Sequence, residues 1–256
     1  MEEITIQTET LNGLFSGQED IRQALQLACR TFSGKVVFST SFSEEDQIIF
    51  HYLNEIEDPA STFTLDTGRL FPETYSTWSR TLEKYKLPIR SFHPDADALQ
   101  EFMETRGPNS FYESVENRKA CCHIRKVEPL RRALRGQALW ITGIRAAHSP
   151  DRSDMKPVEW DEANRIIKYH PLLHWTHDQV KACIAENQIP YNPLHDKGFV
   201  SIGCAPCTRA IRPGEDFRAG RWWWEKNAPK ECGIHCPIET GGMEHELEAL
   251  LNKDER

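Results

Sequence analysis

Eight cysteines in 256 residues are the first feature that asks for a chemical explanation. Six fall into three pairs: Cys121-Cys122, Cys204-Ala205-Pro206-Cys207, and Cys232-Gly233-Ile234-His235-Cys236. A lone CxxC can be a thioredoxin-like dithiol. Here it stands late in the chain, among arginines, with an adjacent Cys-Cys upstream. Four soft thiolates from two pairs can hold either zinc or an iron–sulfur cluster. Neighbouring cysteines are awkward around one ion and easier around a cubane, which gives each thiolate its own iron, so the spacing leans toward the cluster and leaves zinc open. Cys232 is different. Lys230 precedes it by two residues and His235 follows by three. Nearby positive charge favours the thiolate, the nucleophilic form. The plainer alternatives are a Cys232–Cys236 redox pair or a cysteine with no role. Cys29 and Cys183 fall on the apolar faces of predicted helices and read as core residues.

The basic residues are the second chemical signal. Net charge is −8, against the basic balance of nucleic-acid binders. Yet residues 118–132 carry Arg118, Lys119, Arg125, Lys126, Arg131 and Arg132 against only Glu128. A second group is Arg209, Arg212, Arg218 and Arg221. Local cationic clusters in an acidic chain fit a small anionic ligand, or else two solvated helix faces.

These residues need elements to position them. Residues 18–32 read as a helix, with Ile21, Leu25, Ala28, Cys29 and Phe32 on one face. Strands are predicted at 35–39, 62–66, 88–92 and 138–142, with helices between them: one after the turn Thr40–Ser43, one from Pro72 to Tyr85, and one near 124–134. Alternation of this kind specifies an α/β fold, a mostly parallel sheet with helices on both faces. Ligands of such sheets bind at the C-terminal ends of the strands. The loops to watch are Ser39–Asp46, Asp66–Phe71 and Thr142–Arg152. Beyond about 188 the chain turns rich in Gly, Pro, Cys, Arg and Trp. The division expected is an α/β domain at 1–224 and a mobile tail at 225–256 that carries Cys232, with a short amphipathic helix near its end.

Taken in order, these segments resemble the adenylylsulfate (APS) reductases, within the wider APS/PAPS reductase family. The resemblance covers nearly the whole chain. It is carried by Ser39-Thr40-Ser41-Phe42-Ser43-Glu44-Glu45-Asp46, Leu65-Asp66-Thr67-Gly68 with Phe71-Pro72-Glu73-Thr74, Lys119-Ala120-Cys121-Cys122 with Arg125-Lys126-Val127, and Thr142-Gly143-Ile144-Arg145. It continues through Gly203–Arg209, Gly214-Glu215-Asp216, Arg218, Gly220–Trp224 and Lys230–His235. Two departures stand out: Ser43 occupies a loop position where Gly is common, and Cys236 is additional. The resemblance implies an adenine-nucleotide α-hydrolase-like (PP-loop) fold. It implies one [4Fe–4S] cluster per chain on Cys121, Cys122, Cys204 and Cys207, and Cys232 as the catalytic nucleophile. It also implies thioredoxin as separate reductant, with APS reduced to sulfite and AMP in sulfate assimilation and cysteine biosynthesis. The four cysteines favour APS over PAPS, although cluster-bearing members that take both exist.

For the substrate, Ser41, Ser43, Asp66, Thr67 and Gly68 are expected to line the site. Lys126, Arg145, Arg218, Arg221 and His235 are expected to neutralise phosphate and sulfate. Backbone N–H groups of the Ser41–Asp46 loop, at a helix start, would suit an oxyanion. Two rivals remain: an ATP-using RNA thiolation enzyme of the same fold, which should carry an SGGxDS-type loop, and a non-catalytic four-cysteine zinc module. No apolar run of about 18 residues and no apolar N-terminal stretch is present, so a cytoplasmic protein with neither membrane nor nucleic acid as partner is expected. The sequence allows a homo-oligomer.

Overall fold

The computed structural model describes residues 2–18, 20–148, 152, 154–225 and 234. Its centre is a six-stranded sheet: β1 (Val36–Ser39), β2 (Ser61–Leu65), β3 (Ile89–Phe92), β4 (Leu139–Ile141), β5 (Val158–Asp161) and β6 (Ile166–Tyr169), in the order β3-β2-β1-β4-β6-β5. All pairs are parallel except β5 with β6, which gives the sheet one antiparallel edge. The helices are α1 (Glu2–Ser16), α2 (Ile21–Thr31), α3 (Glu44–Leu53), α4 (Pro72–Lys84), α5 (Ala96–Arg106), α6 (Val115–Cys122), α7 (Glu128–Leu134) and α8 (His177–Glu186). Between α6 and α7 the chain keeps turning through five residues of π-helix, His123–Val127.

The period-two alternation of the strands sorts the core into two layers. Val36 and Phe38 of β1, Leu139 and Ile141 of β4, and Ile167 and Tyr169 of β6 pack in one cluster with residues of α1, α2, α3 and α8. Val37, Trp140 and Ile166, the alternate positions, face Leu130, Ala133 and Leu134 of α7. Buried on both sides, the central strands read as continuous apolar runs, which is why they were legible. Helices α1 and α5 and the β5–β6 hairpin are additions to the reading from sequence. α1 is polar along most of its length and buries only Leu11 and Phe15 among its described side chains.

The topology also fixes where a ligand can sit. From β1 the chain runs outward through β2 and β3, then returns to β4 on the other side of β1. The loops after β1 and β4 therefore leave in opposite directions and open a crevice between them.

Candidate active site

That crevice is a cleft of about 230 Å³. The loop after β1 supplies Thr40–Ser43, the first turn of α3 supplies Glu45 and Asp46, the loop after β2 supplies Thr67, and the turn after β4 supplies Thr142–Ile144. Its cations are Lys126, Arg152, Arg218 and Arg221. His195 and the stretch Val200–Cys204 complete the wall.

Local chemistry explains the loop after β1. Phe42 takes a positive φ of 61°, costly for a large side chain. Its ring is buried and stacked on Trp78 at 5.5 Å, which offsets that cost. Ser43 then caps α3, its hydroxyl accepting from the Asp46 N–H at 3.2 Å. A glycine at 43 is thus unnecessary, because the left-handed residue is Phe42. The Ser41 N–H and hydroxyl both donate to Asp46 Oδ2 at 2.7 Å. Of the loop's backbone donors, the Ser41 N–H is thus engaged by Asp46, the Phe42 N–H by Thr40 Oγ1 and the Asp46 N–H by Ser43. Burial, partly offset by Ser41, pushes Asp46 up to about 6. Gly143 permits this packing, since a Cβ there would lie 2.2 Å from Asp46 Oδ1.

A second, smaller cavity adjoins the cleft. Cys121 and Cys122 from the end of α6, and Cys204 and Cys207 from the 203–208 turn, all line it, with Arg69, Arg118, Arg125, Lys126 and Trp222. The Ala205 N–H donates to the Arg69 carbonyl at 2.8 Å, which ties the late cysteine pair to the loop after β2. Lys126 and Cys204 line both cavities. Burial raises the Cys204 thiol, but Lys126, a contact with the Thr67 hydroxyl at 3.3 Å, Arg221 and Arg125 outweigh it and hold its pKa below the ordinary value. Burial and the adjacent Cys204 push Cys207 up to about 11. Burial likewise raises Cys121 against Arg125. Among the described residues, no three His, Cys, Asp or Glu side chains converge on a single ion position.

The donor set still fits a cluster. Trp222 and Arg125 line the cysteine cavity, and their Nε1–H and Nε–H are buried with no hydrogen-bond partner among the described residues. Buried donors without acceptors are costly. Thiolate and sulfide sulfurs of a cluster are acceptors, and a metal would deprotonate the raised thiols outright.

Of the expected substrate residues, Ser41, Ser43, Thr67, Lys126, Arg218 and Arg221 line the cleft. Arg221 lies over Gly203, where a Cβ would fall 1.9 Å from its NH1, and donates to Thr208 Oγ1 at 2.6 Å. Three residues are placed elsewhere. Asp66 Oδ1 accepts from the Gly68 N–H and the Tyr75 hydroxyl, so Asp66 and Gly68 shape the loop after β2 rather than the cleft wall. Arg145 is buried and donates to Glu45 Oε1 at 2.8 Å and to the Trp175 carbonyl at 3.0 Å, so it backs Glu45 rather than lining the cleft. Cys232, His235 and Cys236 lie outside the described residues, as does nearly all of 225–256. Ile234, two residues after Cys232, lines the cleft and packs on the α7 side of the sheet. Site residues that sequence reasoning missed are Arg152, His195, Glu45 and Asp46. Arg152 sits at the end of a loop singled out from strand order; nothing periodic marks His195.

Comparison with known proteins agrees with this architecture. A family model described as the phosphoadenosine phosphosulfate reductase domain matches residues 35–210. An adenosine 5'-phosphosulfate reductase of Burkholderia cepacia is 50% identical over 206 residues, covering 80% of this chain and 82% of the relative. One from Allochromatium vinosum is 46% identical over 213 residues, covering 83% of each. Among solved structures, a phosphoadenylyl-sulfate reductase of Candida auris in complex with phosphate superposes with a TM-score of 0.68 at 29% identity, covering 79% of this chain and 96% of that one.

Proposed function

Since the chain belongs to the phosphoadenosine phosphosulfate reductase domain family, we propose that its cleft binds adenosine 5'-phosphosulfate and that the protein reduces it to sulfite and AMP in sulfate assimilation. The observation that carries this reading is the shared wall of the two cavities: Lys126 lines the cleft on one side and the four-cysteine cavity on the other. The identities of 46–50% to APS reductases favour APS over PAPS.

In this mechanism the Cys232 thiolate attacks the sulfate sulfur, the S–O bond to phosphate breaks, and AMP leaves with the electron pair. Cys232 then carries a thiosulfonate, Cys–S–SO3⁻. A thiolate of thioredoxin attacks the Cys232 sulfur, sulfite leaves with the pair, and the second thioredoxin thiol resolves the mixed disulfide. Lys126, Arg218, Arg221 and Arg152 neutralise the phosphosulfate; fork donors suit its oxygens. His235, beside the nucleophile in sequence, remains a candidate for the same task. Arg145 acts one step back, by holding Glu45. Cys121, Cys122, Cys204 and Cys207 would hold one [4Fe–4S] cluster, which would supply structure and a fixed charge next to Lys126. The thiol chemistry belongs in a reducing, cytoplasmic compartment. No described helix is long and apolar enough to cross a membrane.

The test is mass spectrometry. Protein mixed with APS in the absence of thioredoxin should gain about 80 Da, one SO3, on the peptide holding Cys232, as a covalent intermediate demands. Cys232→Ser should retain the fold and APS binding but release no sulfite, and Cys236→Ser should retain most activity. An adduct on Cys236, or sulfite at a normal rate from Cys232→Ser, would overturn the assignment of the nucleophile.

A further inference from the structure

Behind the cleft wall lies a buried histidine that the reaction does not use. His170 follows β6, and its side chain has no exposed surface. Its Nδ1 is 2.7 Å from Oγ1 of Thr142, a cleft residue at the end of β4. Its Nε2 lies 3.4 Å from Oε2 of Glu159 on the edge strand β5. That contact is within ion-pair reach but not aligned as a hydrogen bond, and Nε2 has no hydrogen-bond partner among the described residues. The end of β4 and the β5–β6 hairpin are thus joined through one ring.

Charge selects the tautomer. A carboxylate is an acceptor only, so the ring proton belongs on Nε2, facing Glu159. A proton on Nδ1 would instead set a bare lone pair against the carboxylate. The charges around the ring are Glu159, Lys168 and Arg152. Burial outweighs Glu159 and keeps the imidazole neutral. Nδ1 is then an acceptor, and the Thr142 hydroxyl must donate inward to it. The same oxygen takes a long hydrogen bond, 3.4 Å, from the Ile144 N–H and closes a turn over Gly143. Gly143 is the residue that packs without room for a Cβ against Asp46.

We propose that Glu159, His170 and Thr142 form a positioning relay that sets the 142–144 turn against Asp46 and so shapes the cleft wall at that turn. His170 is a positioning residue, acting through Thr142. The relay also has a chemical signature. With its proton committed inward, the Thr142 oxygen offers a ligand only lone pairs. A ligand group reaching that oxygen must be a donor, such as a nucleoside amino or hydroxyl group, and not a phosphate oxygen.

The inference rests on reading the cleft as a nucleotide site, so its test separates the two. Thr142→Val, close to native in shape, should bind AMP about three- to tenfold more weakly, as loss of one hydrogen bond predicts. His170→Leu should show a similar loss of AMP affinity, His170→Asn should recover most of it, and the Thr142→Val/His170→Leu double variant should be no worse than either single change, because they remove one relay. Nitrogen-15 spectra of the histidine rings, recorded without ligand, should show His170 neutral and protonated on Nε2 above about pH 7. Additive losses, an Nδ1-protonated ring, or unchanged AMP affinity in folded Thr142→Val would overturn the relay. Wild-type protein that binds no AMP would overturn the nucleotide reading instead, and the ligand-free spectrum keeps that outcome distinct.

Discussion

Lys126 and Arg145 show how differently two cations of similar promise can be used. Both were candidates from sequence, and both are buried. Arg145 spends its guanidinium on Glu45 and a main-chain carbonyl. Lys126 stands in the wall between the cleft and the cysteines. A charge-assisted contact to an oxyanion contributes about 1.5–3 kcal/mol, so Lys126→Ala should lower kcat/KM for APS about ten- to a hundredfold. Circular dichroism should be unchanged. A variant with native kinetics would return Lys126 to a structural role. The distinction between the two residues was not legible in sequence, because the partner that claims Arg145 lies 100 positions away.

At the scale of elements, the notable piece is the five-residue π-helix at His123–Val127. Single-turn π segments are uncommon and are frequent at functional sites. This one directly follows Cys121 and Cys122 and carries Arg125 and Lys126, so one change of helical pitch governs both the cysteine pair and the cation beside it. The facing pair, Cys204 and Cys207, is held by the Ala205 link to Arg69 and by the antiparallel bridge between Thr208 and Arg221. Two elements brought together in this way should assemble a cubane on four thiolates. Protein purified without oxygen should be brown and contain about four irons per chain. Replacing Cys121 or Cys204 should remove the colour, and replacing Cys232 should leave it. One zinc per chain with no iron would overturn the cluster. The sequence read this region as a helix near 124–134; a π turn has no apolar periodicity of its own to announce it.

At the scale of the whole molecule, two buried carboxylates pull stability in opposite directions as pH changes. Asp46, pushed up by burial to about 6 from 3.8, holds its proton longer when folded. Its contribution therefore falls as pH rises from about 4 to 6. Burial pushes the Asp161 carboxyl up, but Lys168 at 2.6 Å together with hydrogen bonds from Asn164 outweighs it and holds the carboxyl low. Its contribution is present above the unfolded pKa and is lost as pH falls below it. Asp46→Asn should then melt several degrees above the native protein at pH 7, with the gap closing toward pH 4. A gap constant across that range would overturn the assignment. Lower nucleotide affinity in the same variant is compatible with it, since stability and binding are separate measurements.

The positions and character of the central strands were determined by sequence alone, because a parallel strand covered on both faces reads as an apolar run and helical periods stand between the runs. From that alternation came the rule that ligands meet the loops after the strands, and those loops do contribute to the cleft. The cysteine pairs were legible for a similar reason: their type and spacing carry the chemistry wherever they fold. Tertiary structure decided the rest. Which arginine faces a ligand and which faces Glu45, that Asp46 rather than a ligand takes the Ser41 donors, and that Thr142, His170 and Glu159 meet behind the cleft are all matters of long-range pairing. Polar partners distant in sequence leave no period and no composition signal. They are chosen only when burial removes water as an alternative partner and each donor must find an acceptor inside.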